Sequence, residues 1–150
     1  MYDLQRVSDY LEIRDLSSRY NYLADTGDGE AYADLWTEDG EFEVVGNRTY
    51  RGRAELAACA ASAAQRTVHV TADPLIEVDG DVARQRSRII SCLRTPEGDR
   101  NEFVNTGFYF DVLHRTSDGW RFHRRRAEVD LNTDEMLVKL GVYDDLAKID

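Results

Sequence analysis

Residues 19–42 read RYNYLADTGDGEAYADLWTEDGEF, and the folding of this stretch decides how the remainder is arranged around it. Its first part continues an apolar periodicity from upstream. Leu4, Val7 and Leu11, then Ile13, Leu16, Tyr20 and Leu23, recur at steps of three and four with one change of phase, while Asp9, Glu12 and Arg19 fall on other faces. This predicts one long helix over residues 4–24. Thr26-Gly27-Asp28-Gly29 ends it, because Gly27 can take the left-handed conformation that closes a helix and Asp28 can cap the next. A second helix, over 29–36, is predicted to present Tyr32, Leu35 and Trp36. Asp25 stands where the pattern expects an apolar residue. It is either a helix-terminal carboxylate or the partner of a base supplied from elsewhere in the chain.

Beyond this stretch, Glu38-Asp39-Gly40 reads as a turn, Glu41 to Val44 alternates as a strand does, and 47–52 reads as a loop or short hairpin. The alanine-rich run RAELAACAASAAQ, unbroken by Gly or Pro, predicts a third helix over 53–64. From Arg66 the period changes to two, with Thr67, His69 and Thr71 on one face and Val68 and Val70 on the other. Asp79-Gly80 marks a hairpin within 75–83. Long strands follow over 82–94, 101–114 and 120–129, with turns at Pro96-Glu97-Gly98-Asp99 and Ser117-Asp118-Gly119. Asn132-Thr133-Asp134-Glu135 offers the start of a last helix, which Leu137, Leu140 and Tyr143 would seat on the body. The expected architecture is α+β in a single domain over 1–150: a cone-shaped, curved antiparallel sheet wrapped around N-terminal helices. The open mouth of such a cone is a concave site for a ligand.

The chain has 150 residues, 42% hydrophobic and 32% charged, enough for one ordinary core. With 29 acidic and 19 basic residues the formal charge is -10, which opposes nucleic acid or an anionic membrane as a partner. The N-terminal residues carry charge throughout and no apolar run approaches a membrane span, so a soluble, cytoplasmic protein is expected. Cys59 and Cys92 lack metal-ligand spacing and read as reduced core thiols. HExxH, P-loop, dinucleotide-fingerprint and nucleophile-elbow motifs are absent, so the expectation is a reaction without cofactor or metal.

Several strings, in order, resemble the SnoaL-like branch of the nuclear transport factor 2-like superfamily: IRDLSSRY at 13–20, Ala24-Asp25 with Gly27-Asp28, LWTEDGEF at 35–42, Tyr50-Arg51-Gly52, His69, VDGDVA at 78–83 and DGWRF at 118–122. The resemblance covers nearly the whole chain and implies the cone-shaped fold. Within it, the subgroup similar to scytalone dehydratase, bile-acid dehydratase and the dehydrochlorinase implies Asp25 and His69 as a catalytic dyad. Tyr20 matches an active-site tyrosine of the bile-acid enzyme, and Asn105 loosely matches a pocket asparagine of scytalone dehydratase. That enzyme's second histidine has no counterpart identified in this sequence.

A neutral imidazole with a carboxylate on its far nitrogen is a competent general base, and proton abstraction next to a carbonyl also needs a donor for the developing oxyanion. His69, Asp25 and Tyr20 are the candidates for base, orienter and donor. Tyr20 and Asp25 lie about 140° apart on a regular helix, so they share a face only if the helix loosens near Asp25. Trp36, Tyr32, Phe42, Phe108 and Phe110 are expected to line an apolar pocket, although each also reads as plain core. In Arg121-Phe122-His123-Arg124-Arg125-Arg126, strand alternation places Arg121, His123 and Arg125 on one face and Arg124 and Arg126 on the other. Arg125 is the candidate for binding an anionic or carbonyl group, and His114 and His123 are surface candidates. The reading is a lyase or isomerase of the dehydratase or cyclase type, acting on an apolar or aromatic small molecule such as a polyketide or steroid, in a homodimer or homotrimer. The alternative is a non-catalytic binding module or small subunit similar to that of ring-hydroxylating dioxygenases, whose end the string RRRAEVDLN loosely resembles.

Overall fold

A computed structural model describes residues 3–132 of the chain. The expected last helix, with Leu137, Leu140 and Tyr143, lies outside the described residues. Helix α1 (Leu4–Thr26) begins at Asp3, whose carboxylate accepts from the Arg6 N–H, and ends at Gly27, in the left-handed region at φ 81°. Asp28 caps α2 (Gly29–Ala33), and then come β1 (Trp36–Val44), β2 (Arg48–Arg51), α3 (Gly52–Ala63), β3 (Thr67–Asp79), β4 (Val82–Arg94), β5 (Asn101–Thr116) and β6 (Gly119–Asn132).

The six strands form one curved sheet in the order β2-β1-β6-β5-β4-β3. Four of its five pairings are antiparallel, as expected; β1 and β6 run parallel, so the sheet is mixed. Register shifts interrupt every pairing except β1–β2. Each inserts extra backbone on one strand and bends it, which curls the sheet around the helices.

The concave face holds Ile13, Leu16, Tyr20 and Ala24 of α1 and Leu56 and Ala60 of α3 against Ala83, Ile89, Tyr109, Leu113, Trp120 and Phe122. Leu4, Val7 and Leu11 were expected to join this face, but they are exposed, Leu4 at 89%. The buried stripe instead runs Asp9, Ile13, Leu16, Tyr20, Ala24. The helix has apolar residues on two sides, and burial of the side bearing Asp9 is compensated by specific partners. Arg115 donates to both Asp9 oxygens at 2.6 and 2.9 Å, and the Trp120 indole donates at 3.2 Å.

The second helix is shorter than expected. Trp36 opens β1, and the expected turn at Glu38-Asp39-Gly40 is an irregularity inside that strand. Residues 67–79 make one strand, broken in register between Ala72 and Leu75. Cys59 and Cys92 are free thiols and half-buried; Cys59 packs against the core as expected.

Candidate functional site

The last turn of α1 and the first residues of β3 meet at Asp25. Gly27 permits the junction: a Cβ there would lie 2.2 Å from the Ala64 Cβ at the end of α3. The next residue, Gln65, donates its N–H to the Asp25 carbonyl at 2.7 Å. Side-chain bonds complete the link. The Asp25 carboxylate meets the His69 ring at Nδ1, 2.6 Å from Oδ1, while Oδ2 accepts from the His69 backbone N–H at 3.0 Å and Oδ1 from the Thr67 hydroxyl at 3.3 Å. With Nδ1 occupied, Nε2 is the ring nitrogen left for a ligand. The two side chains keep 18% (His69) and 23% (Asp25) of their surface exposed, so the pair is reachable from solvent.

Tyr20 does not join this pair. Helix α1 runs unbroken through Thr26, so the expected loosening is absent and Tyr20 lies buried in the core. Its ring packs on those of Tyr32, Trp36, Phe42, Tyr109 and Phe122 at centroid separations from 5.0 to 6.4 Å. Tyr32, Trp36 and Phe42, expected as lining, are thus collected with Tyr20 into one aromatic cluster. Burial raises the Tyr20 phenol above its ordinary pKa, against the opposing charge of Arg125, so its hydroxyl stays protonated and can donate.

Arg125 lies inside this cluster, 1% exposed, with its guanidinium carbon 4.0 Å from the ring centroids of Tyr20 and Tyr109 and 4.2 Å from that of Phe122. Asp111 accepts from Nε at 2.8 Å and from Nη2 at 2.7 Å, while Nη1 is buried without a hydrogen-bond partner. Burial disfavours the Arg125 charge, but the Asp111 carboxylate outweighs it and raises the guanidinium pKa. Gln85 extends the network by donating to Asp111 at 2.8 Å and Ser17 at 2.9 Å. Arg121 and His123 were expected on the face of Arg125. A bulge at His123, where Leu113 pairs with Phe122 and Val112 with Arg124, turns Arg125 inward with Phe122 and leaves its neighbours outside. There His114 and His123 stack at 4.1 Å, and Arg124 and Arg126 pair with Glu43 and Glu128.

Strand alternation separates the remaining candidates. Asn105 is on the His69 face: His69 pairs with Ser91, and Ser91 with Asn105. Phe108 and Phe110 are on the outer face, Phe108 under Arg86 and Arg88 and Phe110 paired with Arg86, and therefore do not share a site with His69. A groove of about 500 Å3 also lies on that outer side, lined by Leu75, Arg84, Arg86, Phe110, Arg124 and Arg126 among others. Among the described residues no three His, Cys, Asp or Glu side chains converge as a metal ion would require. The sequence reading missed Thr67, Asp111, Gln85 and Ser91. Only Thr67, two residues before His69 in an alternating strand, carried a local signal.

The sequence model of the SnoaL-like domain matches residues 5–126. Among solved structures, the chain is similar to Rv3472 of Mycobacterium tuberculosis, a protein of unknown function solved as an Asp-to-Asn variant: 38% identity, covering 88% of this chain and 78% of that one, TM-score 0.77. It is also similar to an NTF2-like protein with a cystatin-like fold from Novosphingobium aromaticivorans, with 33% identity over 91% of this chain and 96% of that one, TM-score 0.73. A hexachlorocyclohexane dehydrochlorinase, LinA type 2, shares the fold at 21% identity over 88% and 92% of the two chains, TM-score 0.76. No curated protein matches the chain significantly.

Proposed function

The chain belongs to the SnoaL-like domain family, and from that premise we propose that it is a cofactor-independent lyase or isomerase with His69 as general base and Asp25 as its orienter. The observation that carries this reading is the two-point hold of Asp25 on His69, through ring and backbone, at a solvent-reachable edge of an apolar core. The carboxylate fixes the imidazole tautomer with its proton on Nδ1, leaving the Nε2 lone pair to take a proton from carbon, and then stabilises the imidazolium. The electron pair released moves into a new double bond and expels a leaving group or shifts the unsaturation. Negative charge develops on substrate oxygen, and the protonated Tyr20 hydroxyl and the unpartnered Nη1 of Arg125 are the donors suited to it. Reaching them requires the aromatic cluster to open. An aromatic or polycyclic substrate is part of the proposal, held over the row of His69 and Asn105 on the concave face.

Self-association is part of the same proposal. The outer sheet face exposes Val70, Leu75, Ile90 and Phe110, a spread of apolar surface that a second copy would cover.

The test uses nitrobenzisoxazole, a planar aromatic heterocycle that a protein base opens by removing one C–H proton. The expected result is turnover by the unmodified protein and its loss in His69→Ala and Asp25→Asn, with circular dichroism unchanged. Full activity in both variants overturns the proposal. Probe bound tightly but recovered unchanged would identify a binding module instead.

A further inference from the structure

Ser91 is Cα-paired with His69 across β3 and β4 and with Asn105 across β4 and β5, so three polar side chains stand in one row on the concave face. Along each strand the next residues on that face are Thr71, Ile89 and Gly107, a less polar row, and then comes the aromatic cluster with Tyr109. Ser91 is half-buried, and its hydroxyl has no hydrogen bond to another described residue. It also borders the register shift between Ser91 and Cys92, where the extra residue is Val104 on β5 and the bend falls next to Asn105. Directly opposite residues of an antiparallel pair have Cβ atoms roughly 5 Å apart. A planar ligand whose acidic C–H meets His69 Nε2 therefore brings an oxygen one or two bonds away over Ser91.

Resting on the proposed role of His69, we propose that Ser91 is a further substrate-contacting residue, whose Oγ–H donates a hydrogen bond to the oxygen on which charge develops as His69 takes the proton. The substrates selected are those carrying an oxygen function, carbonyl or enol ether, next to the carbon that loses its proton. In the probe reaction the balance is closed. The C–H proton passes to His69 Nε2, the C–H pair forms the second π bond of a nitrile, the N–O bond breaks with its pair going to oxygen, and Ser91 keeps its own proton while stabilising the phenolate.

The experiment compares nitrobenzisoxazole turnover by the unmodified chain, Ser91→Ala, Ser91→Thr and His69→Ala. Removing one neutral hydrogen bond predicts a fall in kcat of about tenfold in Ser91→Ala, with KM within about twofold. Ser91→Thr, which keeps the hydroxyl and suits a strand, should retain most of the rate. The acid limb of the pH–rate profile should keep its midpoint in Ser91→Ala, since the base is untouched. If Ser91→Ala turns over like the unmodified chain while His69→Ala is inactive, Ser91 has no such role and the His69 reading stands. An equal loss in Ser91→Ala and Ser91→Thr also overturns the assignment, because it marks a packing effect. If His69→Ala is fully active, or the unmodified chain does not turn over the probe, both readings fall together.

Discussion

Asp25 grips His69 at two points, its Oδ1 2.6 Å from the ring Nδ1 and its Oδ2 accepting the backbone N–H at 3.0 Å. One carboxylate thus fixes the ring and the strand that carries it. In Asp25→Asn the amide oxygen can still accept one of these bonds, whereas the charge that stabilises an imidazolium is gone. The expected outcome is a loss of about 100-fold or more in kcat/KM toward nitrobenzisoxazole, with thermal unfolding shifted only slightly.

Gly27 sets where Asp25 points. Ala at φ 81° costs roughly 1–2 kcal/mol in backbone conformation alone, and its Cβ would also overlap that of Ala64. Urea unfolding of Gly27→Ala should therefore show at least that loss. Turnover should fall as well, because the Gln65–Asp25 backbone bond belongs to the same junction.

Arg125 and Asp111 are a buried pair, with side chains 1% and 0% exposed. Asp111→Ala leaves an uncompensated guanidinium inside the aromatic cluster, and the expected cost is about 3–5 kcal/mol in denaturant unfolding. The double variant Asp111→Leu with Arg125→Met should recover much of this, since it removes both charges.

Arg115 donates to both oxygens of Asp9, and these bonds, more than any other cause, hold the Asp9 carboxyl below its ordinary pKa despite burial. A depressed folded-state value means the unfolded chain takes up a proton first as the pH falls. The stabilisation is complete above the ordinary carboxylate value, near pH 4, and is lost as the pH falls through the folded-state value. Denaturant titrations across this range should show a shallower acid loss in Asp9→Asn, which starts from lower stability at neutral pH.

Phe110 and Leu75 flank Arg86 on the outer face, one on β5 and one on β3. With a second copy proposed to cover this face, the unmodified chain should scatter light as an oligomer after size exclusion and Phe110→Glu as a monomer, without loss of the folded circular dichroism signal.

The element order was readable because period and punctuation are local. Helix α1 was expected over 4–24 and spans Leu4–Thr26, and the hairpin marked by Asp79-Gly80 forms, though its turn is Gly80-Asp81, with Asp79 paired to Val82 at the end of β3. Which side of α1 is covered was not readable, since Leu4, Val7 and Leu11 form a stripe as good as the buried one, and Asp9 is admitted through Arg115 and Trp120, far along the chain. Bulges were invisible for the same reason. One extra residue at His123 reverses the face of the residues from Arg124 to Val129, moving Arg125 away from Arg121 and into the core. The Asp25–His69 contact followed from an acid at an apolar phase together with the family resemblance. Ser91 did not, because it is set opposite His69 only by the pairing register of two strands.

The parallel seam between β1 and β6 also governs the order in which the sheet can form. Trp36 is matched to Phe122 and Val44 to Ala127, while β3, β4 and β5 pair with their chain neighbours through short turns. The meander from β3 through β6 can zip early, and the β1–β2 hairpin can form alone, but the two are joined only when β1 docks on the free edge of β6. Closing so long a loop is the slow kind of step. Docking of β1 on β6 is therefore the slowest closure expected in folding, whereas Asp111 and Arg125 face each other within the β5–β6 hairpin and can pair before it.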